Sequence, residues 1–153
     1  MQIGRVPLPA FVVSCIETEP RLASARSNGW TLIHFAAGAS CLPVVQRLLR
    51  AGVDPNVLDS GGHAPLFRAA GGSDADVVRV LIGAGAIVDH AGGATRSTAL
   101  HQAARFGNVK IAEALLDAGA SLSATDNKGH TPLDRARNCR RKDVAALLDS
   151  WQA

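Results

Sequence analysis

Large aromatic side chains are scarce in this chain, which has four phenylalanines, two tryptophans and no tyrosine among 153 residues. Alanine, glycine and leucine dominate instead. Strands are typically rich in aromatic and β-branched residues, whereas small residues suit helices that lie close together. The composition therefore favours closely packed helices joined by tight turns over a β-sandwich.

Cysteine is also rare. Cys15, Cys41 and Cys139 form no CxxC pair and are odd in number, so neither a disulfide framework nor a zinc site is expected. Reduced thiols are typical of the cytosol. We therefore predict a cytoplasmic protein that holds no metal and no cofactor.

Long apolar runs are absent as well, since no segment approaches the roughly 18 residues of a membrane span. The targeting signal to weigh is VVSC at Val12–Cys15, which resembles the lipobox of bacterial lipoproteins. The short apolar segment around it contains Pro7 and Pro9, which are unsuited to the helix of a signal peptide. A cytoplasmic location is therefore favoured over export.

Neither sign of charge dominates, because 16 basic and 13 acidic residues leave a net charge of +3. The excess lies after residue 90, chiefly in the basic cluster RARNCRRK, which contains Arg135, Arg137, Arg140, Arg141 and Lys142. Clustered cations can attract phosphate or an acidic partner. No aromatic residue interleaves the cluster to stack on bases, so a solvated surface is favoured over nucleic-acid binding.

What the sequence does contain is an internal repeat. Similar blocks, TLIHFAAGAS, APLFRAAGGS, TALHQAARFG and TPLDRARNCR, begin at Thr31, Ala64, Thr98 and Thr131, which are 33, 34 and 33 residues apart. Each block is followed by a second one, LLRAG, LIGAG, LLDAG or LLDSW. A fixed period of this length indicates stacked units rather than one ordinary core.

Each unit reads as two helices. A threonine that can cap the first helix is followed three residues later by His34, His101 or Asp134, which can hydrogen-bond back to the cap. His101 is therefore predicted to be structural, since no nucleophile or carboxylate is placed to use it in catalysis. Paired alanines follow, then an apolar second helix. That helix ends at a glycine suited to a left-handed conformation, as at Gly52, Gly85 and Gly119.

This pattern, TxLHxAA with a VV..LL stripe and a GA or GV end, resembles the ankyrin repeat. The resemblance implies an all-α solenoid of helix-turn-helix units joined by β-hairpin-like loops. It divides the chain into an N-terminal capping half-repeat at 1–28, repeats at 29–60, 61–93 and 94–127, and a C-terminal capping repeat at 128–153.

Three departures from the pattern carry expectations. Ala64 replaces the threonine of the second unit, which removes a cap worth about 1 kcal/mol, and Phe67 replaces the histidine, either to pack or to meet a partner. The loop at 89–97 is one residue longer than its counterparts and has Arg96 where glycine is expected, so its tip should be looser or differently shaped. The last unit lacks the terminal glycine, and we expect Trp151 to close the stack.

Ankyrin stacks bind other proteins through hairpin tips and first helices, so the resemblance implies a monomeric, non-enzymatic module with a protein partner. The exposed positions of the family correspond here to the predicted partner-binding residues Trp30, Ser60, His63, Ser97, Arg105, Phe106, Asn127, Lys128 and His130. Trp30 and Phe106 are candidate anchors, because exposed aromatic rings often dominate binding, although either ring could instead pack on a neighbouring element.

Two functions of other classes remain as alternatives. The basic cluster could bind nucleic acid or an anionic surface, although clustered cations are more often solvated. An enzyme or metal site could use His63 and His130 with a nearby carboxylate, although these histidines lie in hairpins two units apart and metal ligands must approach to about 2 Å.

Overall fold

The computed structural model describes residue 21 and residues 25–152. Val12–Cys15 and most of the predicted half-repeat at 1–28 lie outside the described residues. A short antiparallel ladder joins β1 (Arg26–Ser27) to β2 (Trp30–Thr31). Eight helices follow in the described chain: α1 (Leu32–Gly38), α2 (Leu42–Arg50), α3 (Pro65–Ala70), α4 (Ala75–Gly83), α5 (Ala99–Phe106), α6 (Val109–Asp117), α7 (Pro132–Asn138) and α8 (Lys142–Gln152).

These helices form two layers, since each unit contributes a shorter first helix and a longer second helix. The first helices α1, α3, α5 and α7 pack side by side, as do the second helices α2, α4, α6 and α8. The core lies between the layers and includes Leu48, Leu81 and Leu115. Small side chains let the first helices approach closely, and the predicted alanine pairs are buried there: Ala36, Ala37, Ala69, Ala70, Ala103 and Ala104. The predicted all-α class is confirmed.

The helix ends follow the local chemistry of the sequence. A capping box is present at three first helices, formed by Thr31 with His34, Thr98 with His101, and Thr131 with Asp134. Helix α3 has no side-chain cap, because Ala64 carries no acceptor. Gly52, Gly85 and Gly119 have φ angles of 84°, 95° and 85°, so the predicted left-handed conformation after the second helices is confirmed.

The longer loop and the end of the chain are the two places where the sequence departs from the regular repeat. Arg96 itself adopts a left-handed φ of 50°, as Gly62 and Gly129 do at 77° and 76°. The expectation that Trp151 closes the stack is wrong, because 44% of its surface is exposed. Val144 and Leu148 of α8 are buried in its place. Within the described residues, no helix is long and apolar enough to cross a membrane.

Candidate functional site

A groove of about 290 Å³ opens where the loops that precede the first helices meet those helices. It extends across the second, third and fourth units. Its lining consists of His63, Phe67, Arg68, Thr95, Ser97, His101, Gln102, Arg105 and Arg135. Three of the predicted binding residues, His63, Ser97 and Arg105, are therefore brought together.

The second unit builds its part of the groove around Asp59, whose side chain is fully buried. Its Oδ1 accepts hydrogen bonds from the N–H groups of Gly61 and His63 at 2.8 and 3.0 Å. Its Oδ2 accepts from Nε of Arg68 at 3.0 Å and also from Nη2. Burial alone would raise the pKa of Asp59, but the His63 N–H and the Arg68 guanidinium outweigh it and lower that pKa to about 2.

The fourth unit repeats this arrangement around Asp126, which is also fully buried. The N–H groups of Lys128 and His130 donate to Oδ1 at 2.8 and 3.0 Å, and Nε of Arg135 donates to Oδ2 at 2.7 Å. Burial again opposes ionisation, yet these N–H groups and the guanidinium lower the pKa of Asp126 to about 2. Arg68 and Arg135 are thus held in equivalent positions two units apart.

The third unit, which lies between them, lacks this ion pair. Gly93 and Gln102 stand at the positions of the aspartate and the arginine, and Ser97 stands at that of the histidine. The backbone of Gly93 lies so close to the second hairpin that a Cβ added there would come 2.5 Å from Nε2 of His63. Among the described residues, the lining in the middle of the groove is therefore polar and carries no carboxylate.

His34 and His101 each fix the hairpin of the following unit. Their Nδ1 atoms accept from the N–H of their own capping threonines at 3.3 and 3.2 Å. Nε2 therefore carries the proton and donates to the carbonyl of His63 or His130 at 3.0 and 2.9 Å. Burial lowers the pKa of both His34 and His101. The capping box predicted for His101 is confirmed.

Trp30 is half-buried and supports one end of the groove. Its ring centroid lies 4.9 Å from that of Phe35, and the guanidinium carbon of Arg68 lies 3.9 Å from it. A cation held over an indole face is attracted by the ring. Trp30 therefore positions Arg68 and keeps part of its own surface accessible.

Phe106 and Arg105 lie together at the end of α5. Phe106 is 47% exposed, and one edge of its ring covers Gly71, where an added Cβ would meet the ring at 3.2 Å. The Arg105 guanidinium lies 5.4 Å from the centroid of the Phe106 ring. Across residues 25–152, the Arg105 side chain forms no ion pair. Both residues thus present accessible surface at the side of the groove.

The remaining predicted positions differ in how much surface they offer. Ser60, Asn127 and Lys128 are exposed at hairpin tips. The N–H groups of Ser60 and Asn127 donate to carbonyls of the preceding hairpins at 3.0 and 2.8 Å, and the Asn127 amide adds a bond of 2.8 Å. These two residues therefore also link adjacent units. Ser97 lines the groove but is only 8% exposed.

His63 and His130, on which the alternative metal or catalytic site depends, lie in separate hairpins. The ring of His63 stacks on Phe67 with centroids 4.3 Å apart, and burial lowers its pKa. The Nδ1 atoms of His63 and His130 lie 3.5 Å from Asp59 and 3.7 Å from Asp126. In the part of the chain that the structure describes, no three His, Cys, Asp or Glu side chains are grouped as metal ligands.

The basic cluster is divided among different partners. Arg135 binds Asp126, and Nη2 of Arg137 binds Asp149 at 3.0 and 3.1 Å. Nε of Arg141 donates to a backbone carbonyl of α5 at 3.0 Å. These contacts favour separate surface cations over one continuous phosphate-binding patch.

Sequence reasoning missed one position of the repeat, the variable residue between the histidine and the alanine pair. Phe35, Arg68, Gln102 and Arg135 occupy it, and the last three line the groove. In the first three units the neighbours on either side of this position are buried, so the turn of the helix directs the position outward. The signal available in the sequence was the second x of TxLHxAA, a position that the repeat leaves variable.

Comparisons with known proteins agree with this architecture. The family model described as "Ankyrin repeats (3 copies)" matches residues 10–91 and 84–152. The chain is 36% identical over 113 residues to mouse cyclin-dependent kinase 4 inhibitor B, which covers 74% of this chain and 86% of that protein.

Two larger relatives match over a small part of their own length. The identity to mouse diacylglycerol kinase iota is 39% over 99 residues, covering 63% of this chain and 9% of the kinase. The identity to rat diacylglycerol kinase zeta is 34% over 153 residues, covering 95% of this chain and 16% of the kinase. The chain thus spans less than a fifth of either kinase. With the family model matched along most of its length, the chain belongs to the ankyrin-repeat family.

Proposed function

We propose that the chain is a non-enzymatic module that binds a protein partner in the groove and at the hairpin tips. The observation that carries this proposal is the presence of side chains that the stack does not use. Gln102 and Arg105 line the groove, yet no side-chain hydrogen bond to another described residue is found for either one. Unpaired donors in a recess are suited to a ligand's polar groups.

Family membership supports the same proposal. A relative that this chain spans almost completely is named as an inhibitor of a kinase, which is consistent with an ankyrin stack acting by contact with another protein. We propose that the chain acts as a monomer in a reducing, cytoplasmic setting, since Cys41 and Cys139 are free thiols. The nine positions predicted from the family pattern, together with Arg68, Gln102 and Arg135, form the proposed binding surface.

Site-specific photo-crosslinking in native cells tests this surface. A photoreactive residue would replace Arg105 or Asn127 on the groove and hairpin side, and Arg50 or Asp117 on the second helices as matched controls; all four are exposed. We expect the same partner to be crosslinked from Arg105 and Asn127 but not from the controls. Crosslinks formed mainly from Arg50 or Asp117 would place the interface on the opposite face.

Once a partner is known, Phe106 provides a sharper test of the anchor hypothesis. Because its ring is 47% exposed, Phe106→Ala should leave the melting temperature almost unchanged. If the ring is an anchor, the same change should weaken binding by about 2 kcal/mol or more. Trp30→Ala is the comparison variant, since loss of the stack on Arg68 should lower stability as well. Unchanged affinity in folded Phe106→Ala would remove that residue from the interface.

A further inference from the structure

We propose that the partner segment seated in the groove is acidic, and that one of its carboxylates binds beside Arg105 between Arg68 and Arg135. This inference rests on the proposed function, because it specifies the chemistry of a partner for the same groove. It depends on the charges that line the groove, the donors that remain unused and the neutral middle unit.

The charge that the groove presents is of one sign. The described residues that line it include three arginines and neither aspartate nor glutamate. The two carboxylates that balance Arg68 and Arg135 lie behind them with 0% of their side chains exposed, whereas the arginines keep 23% and 24% exposure. A ligand therefore meets guanidinium groups first. Such a surface attracts acidic segments and repels basic ones.

Two of these guanidinium groups are already oriented. Arg68 and Arg135 each bind their aspartate through Nε and Nη2, and no hydrogen bond from Nη1 to a described residue is found. A guanidinium has five N–H donors, so each arginine retains donors that a ligand can use. Because a buried carboxylate fixes each side chain, little additional rotamer freedom should be lost on binding.

The middle unit places no negative charge of its own, among the residues described, where the ligand's carboxylate would bind. If an aspartate stood at position 93, as at 59 and 126, it would provide a competing negative charge; Gly93 provides none. Gln102 stands where the flanking units have arginine, and its amide can donate to the same ligand. Arg105, which has no carboxylate partner in the described chain, supplies the charge that remains unbalanced. Charge-assisted hydrogen bonds of this kind are stronger than those between neutral groups.

An acidic protein segment fits these features better than a nucleic acid does. A strand of phosphates needs a continuous basic track, but Arg137 is bound to Asp149 and Arg141 to a backbone carbonyl. Stacking of successive bases needs a series of exposed rings, but Phe67 in the groove lining is only 7% exposed, and Phe106 beside the groove is a single exposed phenylalanine. The groove is therefore assigned to carboxylate side chains of a protein.

The test uses three fluorescent peptides of equal length in which serine alternates with glutamate, glutamine or lysine, together with an oligothymidine strand. Binding to the full chain is measured by anisotropy, and the arginine Nε–H and glutamine side-chain amide signals are followed by NMR. We expect the glutamate peptide to bind most tightly and to shift the signals of Arg105 and Gln102. Arg105→Gln should weaken that binding about tenfold, whereas the exposed control Arg50→Gln should change it less than about twofold.

Other outcomes would overturn the proposal. Equal binding of the glutamate and glutamine peptides, tighter binding of oligothymidine, or equal losses in the Arg105 and Arg50 variants would each contradict an acidic occupant. Among the described residues, the Arg105 side chain makes no hydrogen bond or ion pair, and its guanidinium lies 5.4 Å from the Phe106 ring. Arg141 binds the backbone carbonyl of Arg105, which the substitution retains, and a melting curve checks that the variant folds. A partner crosslinked at Arg105 without an acidic segment would leave the proposed function intact and refute this inference alone.

Discussion

The second and fourth hairpins, at 59–63 and 126–130, are held differently from the third hairpin at 93–97. In the first two, a buried aspartate binds backbone N–H groups and an arginine, and a histidine of the preceding unit binds a backbone carbonyl. The third hairpin has glycine in place of the aspartate, and the helix before it has Phe67 in place of the histidine. Instead, the backbone of Gly93 packs closely against the second hairpin, and Nε2 of His90 hydrogen-bonds to the carbonyl of Gly62 at 2.9 Å.

This difference shows how a repeat can release a side chain for binding without losing its stacking. In the second and fourth units, the arginine is tied to the hairpin of its own unit. In the third unit no arginine binds the hairpin, and Gln102 and the neighbouring Arg105 face the groove with no carboxylate partner in the described part of the chain. Gln102 and Arg105, the groove side chains with no hydrogen-bond partner among the described residues, therefore lie in the unit that lacks the structural ion pair.

Removal of Asp126 should have the largest effect on stability. Asp126→Ala leaves Arg135 and two hairpin N–H groups without their partner, and loss of one member of a buried ion pair costs about 3 kcal/mol or more. Gln102→Ala, at the equivalent of Arg135 in the unpaired unit, should cost less than about 0.5 kcal/mol. Urea unfolding of both variants measures the two values. Similar losses would mean that the ion pair does not distinguish these hairpins.

A methyl group at position 93 tests the backbone contact of the third hairpin. Gly93 has a φ of 70°, and an added Cβ would come 2.5 Å from Nε2 of His63. Gly129→Ala is the matched control, because its φ is 76° but the added Cβ meets nothing within 4 Å. We expect Gly93→Ala to cost about 2 to 3 kcal/mol and Gly129→Ala about 1 kcal/mol. Equal costs would show that close approach adds nothing to the backbone strain.

The histidine anchors should make stability depend on pH. Burial holds the folded pKa of His101 below its ordinary value of 6.5, so the unfolded chain binds more protons and stability falls as the pH drops below about 6.5. His101→Gln removes this titration together with its hydrogen bonds. The variant should lose about 1 kcal/mol at neutral pH and less in mild acid. Unfolding curves at several pH values should converge on the acid side, and parallel curves would contradict the neutral anchor.

The two-layer architecture, the capping boxes and the left-handed glycines could be predicted from the sequence, because each depends on residues a few positions apart within a repeated unit. The pairing of Asp59 with Arg68 could not, although it spans only nine residues. It requires the hairpin to fold back over the first helix, and neither residue belongs to the pattern that identified the unit. Trp151 was misjudged because the apolar stripe of α8 already supplies Val144 and Leu148.

Part of the candidate site could also be predicted from the repeat pattern in the sequence. His63, Ser97 and Arg105 were selected as exposed family positions and do line the groove, but their degree of burial was not foreseeable, as the 8% exposure of Ser97 shows. Burial depends on how closely the hairpin of one unit approaches its neighbour. That approach is set by Gly93, a residue whose role appears only when two units are placed side by side.

The smallest expected effect is a gain, obtained by restoring the missing cap of the second unit. Thr31 and Thr98 occupy the equivalent position and are as buried as Ala64, each with 3% exposure, so two other units of the repeat accommodate a threonine there. In Ala64→Thr the new hydroxyl can accept from the N–H of Phe67, which should raise the free energy of unfolding by about 0.5 to 1 kcal/mol. The control Ala64→Val adds similar volume without an acceptor and should not stabilise. If valine stabilises as much as threonine, the gain comes from packing, and the absent cap does not explain why the second unit differs from its neighbours.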